Sequence, residues 1–226
     1  GLDVKMSKQS AAKVNTSKSK SERSKAAILA AAEHHFSRLG FAANRLEDIA
    51  DELGLTRAAL FYYFSDKQTL YDAMIVDAFG SFATKLDDIL TSSDHTVAER
   101  ILMAAEAWVD TIVNRPSLAR LILRFVADGI EHPAQRIFIN NEDVPAKFWA
   151  LFDEGRRTGE LNPLQDDPFH VSSAVIGTTV FYVGALAALL PHGQFEPLAP
   201  EQITAHKREV LQTTRRLLGI PNTAGQ

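Results

Sequence analysis

Cysteine is absent from the 226 residues. That excludes a disulfide framework, thiolate zinc sites and a cysteine nucleophile, and it fits a reducing compartment. No charged stretch followed by an apolar run opens the chain, so the expectation is a cytoplasmic protein rather than a secreted one. Strict apolar–polar alternation is missing, which argues against strands, and there is neither an internal repeat nor a glycine-rich phosphate loop. Convergent ionisable groups are scarce as well. His34 and His35 are neighbours and point different ways on a helix, and His170 and His192 have no partners at metal-ligand spacing. Asp87-Asp88 and Asp166-Asp167 read as a solvated face and a helix cap, and Asp153 and Glu154 beside Arg156 and Arg157 read as helix-end charge. The expectation is therefore a protein that is not an enzyme and holds no cofactor or metal.

A surplus of positive charge is also lacking, since the formal net charge is −4. Its distribution is uneven, however. Residues 1–67 carry 11 Lys/Arg against 8 Asp/Glu, and the remainder carries 13 against 20. A basic end on an acidic body is the asymmetry expected of a protein that meets a polyanion, although a solvated tail without a partner gives the same numbers.

What is present is apolar and helical. Apolar residues make up 46% of the chain, enough to bury a sizeable core. Residues 1–20 are rich in Ser, Lys and Ala and read as a flexible basic tail, because they bury too little to offset their ordering entropy. From Ser21 onward, Ile28, Ala32, Phe36 and Leu39 recur at helical spacing, with Gly40 as a stop. Asn44 with Glu47, and Ser65 with Gln68, read as capping boxes that open a short helix and a long one. Thr96 with Glu99, Pro116, Asp143 with Pro145, Asp167 with Pro168, and Pro200 open five more helices. The predicted fold is all-α with about nine helices.

The informative stretch is Arg45 to Lys67. Leu46, Ile49, Ala50 and Leu53 form the inner face of one short helix, Gly54 permits a turn, and Leu55, Leu60 and Phe64 supply the facing apolar residues. Arg57, Ala58, Phe61 and Tyr62 then point outward at the start of the second helix. That is the layout of a helix-turn-helix, whose second helix enters the major groove of DNA.

Gly40-Phe41, Asp48-Ile49-Ala50, Gly54-Leu55-Thr56, Leu60, Tyr62, Phe64, Lys67 and Leu70 together resemble the TetR family of regulators, over Ser21 to Leu70. The resemblance implies that Thr56 caps the recognition helix and that Arg57, Ala58 and Ala59 form its DNA-facing start. It also implies that Phe61, Tyr62 and Tyr63 lie along the sugar-phosphate backbone, that Lys67 meets a phosphate, and that Asn44 and Arg45 sit near the backbone. Ala58, Phe61 and Tyr63 stand where the family often has Gly, Tyr and His. Phe61 cannot donate a hydroxyl hydrogen bond, which leaves that contact to Tyr62 or Tyr63. Read from the residues alone, Tyr63 is more often a packing residue against the long helix, Lys67 a phosphate contact before a surface lysine, and the Lys-rich tail either a phosphate arm or inert.

The same resemblance divides the chain into a tail (1–20), a helix-turn-helix domain (21–66), a ligand-binding and dimerisation domain (67–220) and a short tail (221–226). It implies a small apolar or aromatic inducer held among the middle helices. Trp108, Arg124 and Tyr182 are candidates to line that site because each joins an apolar body to a polar tip; plain core packing is the alternative. The uncharged run from Val171 to Leu190 is long enough for a membrane span. Its Ser, Thr and Gly residues and the lack of a second such segment point instead to a homodimer, with Val175, Thr178, Tyr182 and Ala185 on one stripe and no membrane partner. The function expected is a repressor released from a palindromic operator in double-stranded DNA by that ligand. The competing reading is a helical interaction module of the same fold that no longer reads DNA.

Overall fold

The computed structural model describes residues 2–130, 136–191 and 193–222, with side chains from Lys20 onward. His192 and most of the expected C-terminal tail lie outside them. Helix α1 spans Leu2–Leu39 and so takes in residues 2–20, the expected tail; no glycine or proline interrupts that stretch. Then follow α2 (Leu46–Glu52), α3 (Arg57–Tyr63), α4 (Lys67–Thr91), α5 (Val97–Asn114), α6 (Ser117–Ala127), α7 (Val144–Thr158), α8 (Phe169–Phe181) and α9 (Pro200–Leu218). Helix α8 continues through a π-helical turn, Tyr182–Leu186, into Ala187–Leu189. Among the described residues the chain thus has nine helices and no strand, the all-α architecture expected.

The helix starts show where local chemistry acts. Thr56 accepts the Ala59 N–H at 3.1 Å, and Thr96 and Glu99 form the reciprocal capping box at 3.1 and 2.9 Å. Two other expected caps are corrected. Helix α2 begins after Arg45, not after Asn44, and Arg45 provides no side-chain cap. Helix α4 begins at Lys67, so Asp66 rather than Ser65 accepts the Thr69 N–H, at 2.7 Å. That backbone hydrogen bond holds the Asp66 carboxyl below its ordinary range. Both misplacements are shifts of a single residue, the scale on which helix boundaries escape pattern reading.

The contacts divide the chain into two compact units, Gly1–Asp77 and Ala78–Gln226. In the first, Ile28, Phe36, Ile49, Leu60, Leu70 and Met74 are fully buried. In the second, Leu90, Val97, Ile101, Leu151, Phe152, Leu161 and Leu218 form one core cluster. Gly155 on α7 permits that packing: a Cβ there would stand 2.5 Å from Leu161 Cγ and 2.8 Å from Val97 Cγ1. Gly155→Ala should therefore destabilise the second unit. Overpacking typically costs about 1–3 kcal/mol, and the better helix propensity of alanine returns roughly 1 kcal/mol. A lowered midpoint in thermal unfolding is expected; an unchanged or raised one would show that the core yields freely.

A polar seam joins α8 to α9. Buried Thr179 and His206 share a 3.0 Å hydrogen bond, and the imidazole stacks on Tyr182 at 3.9 Å between ring centroids. Burial pushes the His206 pKa below its ordinary value of 6.5, so the folded protein keeps the ring neutral. The unfolded chain then binds the proton more readily. Stability from this group is present above pH 6.5 and is lost as pH falls toward the lower folded value. The wild type should lose more thermal stability between pH 7.5 and 5.5 than His206→Gln, and equal losses would contradict the buried neutral ring.

Candidate nucleic-acid interface

Helices α2 and α3 are joined by a four-residue connection that is hydrogen-bonded throughout its bend. Gly54 has φ +66°, its N–H bonds to Asp51 O at 3.1 Å, and the Leu55 N–H bonds back to Ala50 O at 2.8 Å. These two bonds form a Schellman closure, which needs the left-handed residue that glycine supplies at least cost. A Cβ at Gly54 would meet nothing within 4 Å, so conformation and not space selects glycine. Leu46, Ile49, Ala50, Leu60 and Phe64 are buried, which fixes α3 against α2.

The opposite side of α3 faces solvent. Ala58 is exposed, Ala59 is half-buried, and Tyr62 is 82% exposed, with its ring edge-on to that of half-buried Tyr63. Arg57 opens the helix with a side chain 68% exposed. Its Nε lies 3.4 Å from Glu47 Oε1 on α2, and its guanidinium sits 5.1 Å from the centroid of the Phe61 ring. Exposed contacts of these kinds contribute at most about 1 kcal/mol each. They orient the guanidinium without sequestering it. Phe61, which lacks a hydroxyl, is thus the platform under Arg57. Glu47 was not among the residues expected there, because an ion pair ten positions apart across a turn leaves no periodic signal.

Asn44, Arg45 and Lys67 meet at the edge of this face. Asn44 is 3% exposed, and its amide nitrogen donates inward to His35 O at 3.0 Å and to Gly40 O. Arg45 is exposed and extended, with φ −120° and ψ 137°. The Lys67 ammonium donates to Phe41 O at 2.7 Å, Asn44 O at 3.1 Å and Ala42 O at 3.4 Å.

The three ligand candidates lie in the second unit. Trp108 is 8% exposed, donates its indole N–H to Ile176 O at 3.3 Å and packs against Phe82. Tyr182 donates its hydroxyl to Pro197 O at 2.9 Å, and burial raises its pKa above 10.0. Arg124 is half-buried in the last turn of α6. Trp108 thus meets Ile176 and Phe82, whereas Tyr182 meets Pro197 and His206. An open cleft of about 340 Å³ is lined by Asp153, Arg156, Arg157, Leu161, Asn162, Pro163 and Asp166, so none of the three candidates lines it.

Of the expected α8 stripe, Thr178 is exposed and Ala185 is half-buried. Val175 packs into the core clusters and Tyr182 turns onto His206, whereas Phe169, Ile176, Phe181 and Leu189 are 65%, 46%, 49% and 70% exposed. Phe169–Leu189 is long and apolar enough to cross a membrane by length and composition, and 17% of its apolar window is buried.

Residues 28–74 match a family model described as bacterial regulatory proteins, tetR family. The HTH-type transcriptional regulator RutR of Escherichia coli strain K12 is 47% identical over 51 residues, 23% of this chain and 24% of RutR. The chain thus spans about a quarter of the length of that relative. A tetR-family regulatory protein from Rhodococcus RHA1 superposes with a TM-score of 0.66 at 18% identity, covering 88% of this chain and 98% of that one. The ketosteroid transcriptional regulator KstR2 of Mycobacterium tuberculosis superposes with a TM-score of 0.65 at 20% identity, over 88% and 95% of the two chains. These structural likenesses extend over a helix-turn-helix end and a larger helical body, and they concern the fold.

Proposed function

We propose that the chain, whose residues 28–74 match the model of the tetR family of bacterial regulatory proteins, is a cytoplasmic transcription regulator that reads DNA with α3. The observation that carries this reading is the start of α3: Arg57 and Ala58 are exposed on a helix whose other side is locked into the core by Leu60. Arg57 is the base reader, since a guanidinium presents the forked donors that match guanine. Thr56, Ala58 and Ala59 bring the backbone close, Tyr62 and Tyr63 offer hydroxyls to phosphate oxygens, and Arg45 flanks them. Asn44 faces inward and acts by shaping the edge of the site.

The regulator is a repressor, and a small apolar or aromatic inducer binds within the second unit, where Trp108, Arg124 and Tyr182 are the candidates. Such a ligand shifts DNA affinity only by its differential affinity for the two states. Helix α4 is continuous from Lys67 to Thr91 and is the covalent path between the units. A homodimer through the exposed apolar side chains of α8 is supported by the scarcity of such surface on monomers, and its two-fold axis calls for a palindromic operator.

The experiment is a gel shift of wild-type protein with fragmented genomic DNA against an excess of random-sequence competitor. A discrete set of retained fragments is expected. Uniform retention of all fragments, or none, would contradict sequence reading and favour an interaction module.

A further inference from the structure

We propose that Lys67 is a positioning residue: its ammonium pins the turn between α1 and α2, so fixing the direction in which Arg45 meets DNA, and does not itself contact phosphate. The inference rests on the DNA-binding reading above.

An ammonium has three N–H donors and no acceptor. Around Lys67 Nζ stand three backbone carbonyls, those of Phe41, Asn44 and Ala42 at 2.7, 3.1 and 3.4 Å. The Phe41 ring lies beneath it, 4.4 Å from Nζ to the centroid. Every donor is thus matched and one side is covered by an aromatic face. To reach a phosphate the group would have to leave carbonyls that sit outside any helix and have no helical partner of their own.

The turn is held from its inner side as well. Asn44 is 3% exposed, and its amide nitrogen bonds to His35 O and Gly40 O at the end of α1. Gly40 turns the chain with φ +76°. Residues 41–44 are therefore clamped between an amide beneath and an ammonium above. Arg45 follows directly, exposed, and uncapped by any side-chain bond of its own. Its direction is inherited from the turn. Because Lys67 is the first residue of α4, the same bonds tie that helix to the start of α2.

The two roles differ in what they do to salt dependence. A lysine on phosphate releases counterions, so its loss lowers the log–log slope by roughly 0.9 on duplex DNA. A lysine that orders a turn leaves the number of phosphate contacts unchanged in the complex, because the turn re-forms on DNA. Only the intercept moves, by the entropy of ordering one or two residues, which corresponds to about tenfold in affinity.

The test uses the full chain with Lys67→Met, and Lys67→Gln as a second variant that removes the charge but keeps two donors. Two measurements are made: NMR carbonyl shifts and backbone order parameters of residues 41–45 without DNA, and anisotropy titrations of a random-sequence duplex over a range of salt. Expected for Lys67→Met are shifted carbonyl resonances of Phe41 and Asn44, lower order parameters confined to residues 41–45, about tenfold weaker binding and a wild-type slope. Lys67→Gln should recover part of the affinity at the same slope. A slope reduced by roughly 0.9 in either variant places the ammonium on phosphate and overturns the inference. Unchanged carbonyl shifts and order parameters at residues 41–45 overturn it as well. Should wild-type protein bind neither random nor genomic duplexes, the DNA-binding reading fails, while the NMR comparison still decides the clamp.

Discussion

Arg57→Ala should weaken binding to the selected operator by about 1–3 kcal/mol and relax preference at one base pair in each half-site. The side chain is 68% exposed, so its loss leaves the core of the first unit intact. In the unbound protein Glu47 and the Phe61 ring already hold the guanidinium at the start of α3. Part of the rotamer freedom that a free arginine would surrender on binding is thereby lost beforehand. Titrations of operator and of a scrambled duplex with wild type and variant check the effect. Equal losses on both duplexes would make Arg57 a phosphate contact; no loss on either would remove it from the interface.

A charge on the exposed apolar surface of α8 should have a larger effect still. Ile176→Glu combined with Phe181→Glu replaces two side chains that are 46% and 49% exposed in the single chain, so folding of the second unit should survive. In a two-fold interface each substitution appears twice and faces apolar surface, where an unpaired carboxylate is costly. The variant should be monomeric by light scattering at micromolar concentration. Losing the linkage between two recognition helices should reduce affinity for the two-fold operator by about 10²–10⁴. A variant that stays dimeric would move the interface elsewhere on the molecule.

Particular residues explain what could be read in advance. The cap at Thr96 was legible because its reciprocal partner Glu99 leaves a fixed spacing in the sequence, whereas Thr56 bonds only the Ala59 N–H and followed from its place after the Gly54 turn. Asn44 fits the same spacing with Glu47, yet its amide is drawn inward by two carbonyls of α1 that no local pattern reveals. The buried face of the first short helix followed from periodicity, since Leu46, Ile49 and Ala50 recur at helical spacing among Arg45, Glu47, Asp48, Asp51 and Glu52, whereas Leu60, between Ala59 and Phe61, was placed by its distance from the Gly54 turn. On α8 the same reasoning did not separate the side chains engaged within the chain from the exposed ones. Apolar residues surround that helix on every side, so periodicity could not choose between Val175 with Tyr182 and Ile176 with Phe181. The choice is made by tertiary partners, among them the His206 ring that stacks on Tyr182. The carbonyls that receive Lys67 were equally invisible, because they belong to backbone more than twenty residues upstream.

The central claim is that α3 reads the major groove twice, once per subunit, through Arg57. Methylation protection reports on guanine N7, the atom an arginine meets in that groove. On an operator fragment selected by the wild type, the expected result is two guanines protected symmetrically about the centre of the site. Both protections should vanish with Arg57→Ala while Tyr62→Phe leaves them in place. Protection that survives Arg57→Ala, or that falls in a single unrepeated patch, would contradict the assignment of α3 as the paired reading element.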